Sequence, residues 1–187
     1  MLSREFLTGF KRETEEKWRD QIIDPLIHGF QFQAGTRWRS GLSDEQILAY
    51  EDEIGIRFPS DLRAFLGEMN GTDLVTINIF GSSGEASREG IGVYSYPRDI
   101  ESVRNCIANA VSDKEMLIVT LADQGFSLAP TAGLMPIYAH RFVVCDGDPE
   151  TSIVLSVWDS EDAIIYGYSL QEYLEREFLG KIPSWAA

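Results

Sequence analysis

The chain has 187 residues, 44% of them hydrophobic and 25% charged, with 30 acidic against 16 basic side chains and a net charge of −14. This is the balance of an ordinary globular protein, long enough to bury about 70% of its unfolded surface without metal or disulfide staples. The negative charge excludes a broad electrostatic surface for nucleic acid or an anionic membrane, and it favours a basic partner. Two cysteines, Cys106 and Cys145, are too few for a disulfide framework and read as thiols of a reducing compartment. The first twenty residues lack the apolar run of a signal peptide, and no stretch is long and apolar enough to span a bilayer. The expectation is one domain over 1–187, in the cytoplasm: an N-terminal helix and connector over 1–40, then a core over 41–179.

In chain order, Phe6, Phe10, Trp18, Ile22 and Leu26 recur at multiples of four, with one gap at Thr14. Charged residues fill the other faces, which predicts an amphipathic helix ended or kinked at Asp24-Pro25. Its polar face mixes Glu and Lys, so packing on the domain is favoured over a membrane surface. A polar connector over 31–41 carries Arg37-Trp38-Arg39. In so acidic a chain that isolated pair reads as a tryptophan lid on the core and not as a nucleic-acid contact.

The stretch Leu42 to Gly71 has the fullest punctuation. Ser43 and Gln46 form a capping box, and Leu42 with Ile47 a hydrophobic staple. Ile47, Tyr50 and Ile54 share a face, and Gly55 suits a left-handed helix end. Pro59 opens a second helix with the stripe Leu62, Phe65, Leu66 and Met69, stopped by Asn70-Gly71. Glu45, Glu51 and Glu53 read as a solvated helix face.

Leu74–Phe80 and Ile91–Tyr96 are rich in β-branched and aromatic residues and predict strands around the Gly/Ser-rich connector GSSGEASREG. That connector lacks the Lys-Ser/Thr end of a P-loop and reads as a flexible hairpin loop. Ile100, Val103, Ile107 and Val111 predict a helix, and the apolar run Met116–Leu121 a buried strand. Ile137–Val144, Ile153–Trp158 and Ala163–Tyr166 predict a three-strand meander. Ser169 with Glu172 repeats the capping box, Tyr168 with Tyr173 the staple, and Leu170, Leu174 and Phe178 face the core. The class these elements define is α+β, a mostly antiparallel sheet with helices packed on one face.

Several of these segments form a set: Leu42-Ser43 with Ile47, Glu51, Gly55-Ile56 and Phe58-Pro59, then Leu62, Phe65-Leu66 and Asn70-Gly71. Pro136 to Arg141, Val154 to Val157 and Ala163 to Leu170 complete it. The set resembles the SUKH superfamily from about Leu42 to Leu179. That family includes a regulator of cell-wall assembly and many bacterial immunity proteins. The resemblance implies a SUKH-like fold and an immunity protein that binds and neutralises a cognate toxin. Many toxins paired with the family are nucleases, whose clefts are usually basic. The alternative it implies is an intracellular scaffold or regulatory module of the cell-wall type.

Catalytic and metal signatures are weak. His140, Cys145 and Asp146 are close in sequence, but side chains along one strand alternate faces and do not converge as a nucleophilic site needs. Asp146-Gly147-Asp148 with Glu150 lacks the twelve-residue spread and flanking helices of an EF-hand. Two histidines and two distant cysteines make no zinc site. The expectation is no catalysis, no cofactor and no metal.

One charge feature stands apart. Phe142 to Glu175 contains no Lys or Arg and carries −8 in 34 residues. Asp146, Asp148 and Glu150 fall in one meander connector, and Asp159, Glu161 and Asp162 in the next, at the opposite sheet end. These six are the candidate contact residues for a cationic protein partner. The longer, Gly-containing first loop is the favoured one, with acidic loops kept for solubility as the alternative.

Overall fold

The computed structural model describes residues 2–80, 86–148, 150 and 152–181; of Ala86 only the backbone is described. Among these residues the helices are α1 (Arg4–Trp18), α2 (Asp44–Ile54), α3 (Ser60–Glu68), α4 (Ile100–Ala110), α5 (Lys114–Ala122) and α6 (Leu170–Leu179). The strands are β1 (Gly29–Gln31), β2 (Trp38–Ser40), β3 (Met69–Thr72), β4 (Thr76–Phe80), β5 (Ala86–Gly90), β6 (Gly133–Tyr138), β7 (Arg141–Cys145), β8 (Val154–Val157) and β9 (Ala163–Gly167). All pairing is antiparallel, in sheets ordered β1-β4-β5, β2-β3 and β6-β7-β8-β9. The α+β class and the antiparallel pairing are as the sequence predicts.

Strand alternation splits the apolar residues of the four-stranded sheet between two cores. Met135, Ile137, Val143 and Val154 join a large core with side chains of α1, α2, α3 and α6. Leu134, Phe142, Val144, Leu155 and Val157 join a smaller one with Leu117 and Leu121 of α5. Helical cover therefore extends to both faces.

The helical pair folds as its punctuation requires as far as Glu68; Met69, expected on the second helical stripe, and Asn70-Gly71, expected to stop it, instead form β3, because Met69 is taken up by pairing with Ser40 of β2. The Ser43 N–H donates to Gln46 Oε1 (2.9 Å), and the Gln46 N–H to Ser43 Oγ (3.3 Å). Leu42 and Ile47 are both buried. Gly55 sits at φ 70°, where a side chain would be strained. Gly41 is needed for a different reason: a Cβ there would lie 2.0 Å from the Gly67 carbonyl oxygen. That close approach lets the Leu42 N–H reach the Leu66 carbonyl (2.8 Å), which locks the entry of α2 onto the exit of α3. The chain after α3 then becomes β3. There the Asn70 side chain donates to the Tyr96 carbonyl (2.7 Å) and accepts from the Tyr96 N–H (2.8 Å).

Several expectations give way to tertiary structure. α1 stops at Trp18, so Ile22 and Leu26 do not continue its buried face; they are 86% and 80% exposed. The Trp18 carbonyl accepts instead from Gly35 (2.9 Å), and its ring stacks on Phe32 (4.1 Å), which forces the chain back across the helix. The apparent gap at Thr14 belongs to the buried face. Its hydroxyl donates to the Phe10 carbonyl (2.9 Å) and accepts from Trp38 Nε1 (2.7 Å). Trp38 is thus the core lid expected of it, and it is part of β2.

Met116–Leu121 is helical, not a strand. Asp113 caps it by accepting from the Met116 N–H (2.9 Å), and Leu117 and Leu121, four apart, are fully buried. The run is too uniformly apolar for a period to show. The partner of β4 is β5, inside the presumed loop, while Ile91–Tyr96 forms only one isolated bridge, Val93 to Tyr138. Its apolar residues anchor to the core, and the Tyr94 hydroxyl donates to the Ala139 carbonyl (3.0 Å). The rest of that expected loop, residues 81–85, lies outside the described residues. The meander has four strands, because Ala139 at φ 48° turns the chain between β6 and β7.

Phe178 of α6 joins the elements together. Its ring lies 5.6 Å from Phe10, 5.8 Å from Trp38 and 5.3 Å from Tyr138. The serine cap of α6 is made, with the Glu172 N–H donating to Ser169 Oγ (3.1 Å). Tyr173 is buried, but Tyr168 is exposed, so the expected staple is not buried on both sides.

Candidate functional site

The connector between β7 and β8 and the connector between β8 and β9 lie at opposite ends of the sheet, because antiparallel neighbours turn at alternate ends. All six candidate carboxylates, Asp146, Asp148, Glu150, Asp159, Glu161 and Asp162, are exposed. They do not converge into one site. Each loop is shaped by its own acids. Asp146 Oδ1 accepts from the Asp148 N–H (3.1 Å), and Asp148 Oδ1 from the Glu150 N–H (2.9 Å). Asp159 Oδ1 accepts from both Glu161 (2.9 Å) and Asp162 (2.8 Å).

The two loops differ in their support. The first is rooted at Ser152, whose hydroxyl donates to the buried Asp61 (2.8 Å) and accepts from the Leu170 N–H (3.2 Å). The second is braced by α5 and the segment after it. Thr120 Oγ1 donates to the Ser160 carbonyl (2.8 Å), and Gln124 Nε2 to the Ala163 carbonyl (2.7 Å). Trp158, at the start of the second loop, is 72% exposed and meets the His140 ring edge-to-face at 5.4 Å.

His140 sits in the β6–β7 turn, at the opposite end of β7 from Cys145 and Asp146. Five residue steps, four of them within β7, separate His140 from Cys145, a span of about 17 Å when extended. Burial, and then the Arg141 guanidinium, depress the His140 pKa to about 4, so the ring is neutral and accepts from Arg141 Nη1. Burial pushes the Cys145 thiol up to about 12, with Asp146 and Glu51 adding to the effect. Burial also raises Cys106. Neither thiol is activated as a nucleophile. Among the described residues no group of three His, Cys, Asp or Glu side chains is placed to hold a metal ion.

Glu51 corrects the sequence reading most sharply. It is 0% exposed, not on a solvated face. Its carboxylate accepts from the Phe58 N–H (2.7 Å), pairs with Arg63 (2.5 Å) and reaches Arg57 (3.3 Å). Glu53 does lie nearer solvent and bonds the Tyr96 hydroxyl (3.0 Å) and Arg104 (3.0 Å). The missed signal for Glu51 was Arg57 and Arg63 across the helix junction, together with an unsatisfied amide at Phe58.

Surface clefts flank α1. One of about 380 Å³ is lined by Lys11, Arg12, Glu15, Glu16 and Arg37, and one of about 430 Å³ by Arg12, Lys17, Leu179 and Lys181. Their charges are mixed, and they hold no histidine or cysteine that could act as base or nucleophile. No helix among the described residues is long and apolar enough to cross a membrane.

A braced helical pair against an antiparallel meander defines an α+β domain with its acidic loops exposed. The family model described as SMI1 / KNR4 family (SUKH-1) matches residues 41–176, and the chain belongs to that family. SUKH domains are generally non-enzymatic immunity or regulatory modules. No curated protein and no solved structure matches the chain.

Proposed function

We propose that this protein is an immunity protein of the SUKH type, which binds a cognate bacterial toxin and neutralises it by occupying a basic surface. Family membership supports a protein-binding role. The observation that carries the reading further is the continuous acidic tract from Phe142 to Glu175, whose two meander connectors present their carboxylates to solvent. Either exposed cluster accelerates encounter with a cationic cleft and disfavours anionic competitors. A nuclease cleft, built to hold polyphosphate, has the required charge.

The test is co-expression with the toxin domain encoded beside the gene. Growth should be rescued, the two proteins should co-purify, and their association rate should fall steeply as salt is raised. Absence of both rescue and complex, or an association rate indifferent to salt, overturns the reading.

A further inference from the structure

The exposed sheet face at the β8–β9 end is unusual for its chemistry. The Trp158 N–H donates to the Asp162 carbonyl (2.9 Å), which extends the ladder one step past Val157 and Ala163. Trp158 therefore stands opposite Asp162, and alternation puts it on the same face as Ser156 and its partner Ile164. Ile164 is 45% exposed, and as a diagonal neighbour its Cα lies about 7–8 Å from that of Trp158. The next residue on this face of β9, Tyr166, lies between the Arg141 and Arg176 guanidiniums, at 4.1 and 3.9 Å from its ring centre. The face thus runs from carboxylates at the loop tip, across an indole and an isoleucine, to two arginines.

We infer that Trp158 and Ile164 are the apolar anchor of the partner interface, and that they receive a protein segment carrying arginine or lysine beside apolar side chains. This rests on the proposed binding role and adds which end of the sheet is used. Charge fixes the orientation. The partner's cation belongs at Asp159, Glu161 and Asp162 and over the indole, whose face attracts guanidinium. Arg176 repels it from the other end. Interfaces are held by a few central aromatic anchors, with tryptophan enriched among them. Preorganisation favours this loop too, since His140, Thr120 and Gln124 already hold it. The first connector lacks an equivalent anchor: its described residues expose carboxylates and a glycine, and no large apolar side chain.

The test uses the full chain, with acetyl-Leu-Arg-Leu-amide as probe and its citrulline counterpart as the neutral control, followed by amide and indole NMR. The arginine peptide should shift the Trp158 indole and the amides of 159–162 saturably, and citrulline should weaken binding at least fivefold. Trp158→Ala, and separately D159N/E161Q/D162N, should each abolish saturation. D146N/D148N/E150Q should leave it intact. Shifts confined to 146–150 overturn this assignment while leaving an acidic docking surface in place. Equal binding of the citrulline peptide overturns the cationic occupant. No saturable shift anywhere overturns both this inference and the acidic-surface reading on which it rests.

Discussion

The helical pair α2–α3 and the meander β6–β9 use carboxylates in opposite ways. In the pair, Glu51 is sealed from water and held by an amide and two guanidiniums. In the meander, the acids of 146–150 and 159–162 face solvent, and Asp146, Asp148 and Asp159 accept from backbone amides of their own loops. The group is chemically similar in both places. What differs is whether donors converge on it inside the fold. Burial turns a carboxylate into a tie between elements, because losing its partners or removing it leaves charges stranded. Exposure leaves it available for long-range attraction, at little cost or benefit to stability.

The largest effect should follow from breaking the buried tie. Glu51→Ala leaves the buried Phe58 N–H without its acceptor and a cavity at a fully buried position, and those two losses together should destabilise the fold by about 3–5 kcal/mol, while Arg63, 40% exposed, turns to water. Urea denaturation measures this, and a midpoint equal to wild type would remove Glu51 from the role of hub. Apolar burial on the same pair should matter as much: Phe65→Ala is expected to cost about 3–5 kcal/mol.

Next in size is Thr14→Val. It preserves shape but strands the buried Trp38 Nε1–H, with an expected loss of about 1–3 kcal/mol by the same denaturation measurement. Thr14→Ser, which keeps the oxygen, should lose less. If the two variants lose equally, packing and not the hydrogen bond sets the cost.

His140 sharpens the comparison through pH. Its folded pKa is depressed to about 4, by burial first and then by Arg141. The unfolded chain takes up the proton near the ordinary histidine value of about 6.5. The unfolded state therefore binds more protons across that window, and stability is lost as pH falls from about 6.5 towards 4. Most carboxylates remain ionised at the upper end of this window, so the denaturation midpoint should drop between pH 7 and 5. His140→Gln should flatten that drop, and an unchanged slope would assign the pH dependence to other groups.

The smallest stability effect should come from the exposed acids. Either triple neutralisation, D146N/D148N/E150Q or D159N/E161Q/D162N, keeps the oxygens that accept the loop amides and should shift stability by no more than about 0.5 kcal/mol. A loss of several kcal/mol in either variant would place these carboxylates with Glu51, as structural ties.

The sequence by itself determined the capped ends of α2 and α6, the apolar stripes of α2 and α3, the antiparallel habit and the exposed acidic connectors. Each of these is local: a cap is satisfied within three residues, and a turn-shaping aspartate bonds its own loop. Tertiary structure alone decided what Thr14, Glu51 and Met116–Leu121 would become. Thr14 needed Trp38 from 24 residues away. Glu51 needed Arg63 from the next helix. Met116–Leu121 had no period of its own, and it became a helix where Leu117 and Leu121 could meet the second face of the sheet. Trp158 belongs with them, since its place opposite Asp162 follows from strand register, which pairs residues across a hairpin and not along the sequence. Partners distant in sequence leave no periodic trace, because polar pairing and two-sided burial are set by which surfaces meet after the chain has folded.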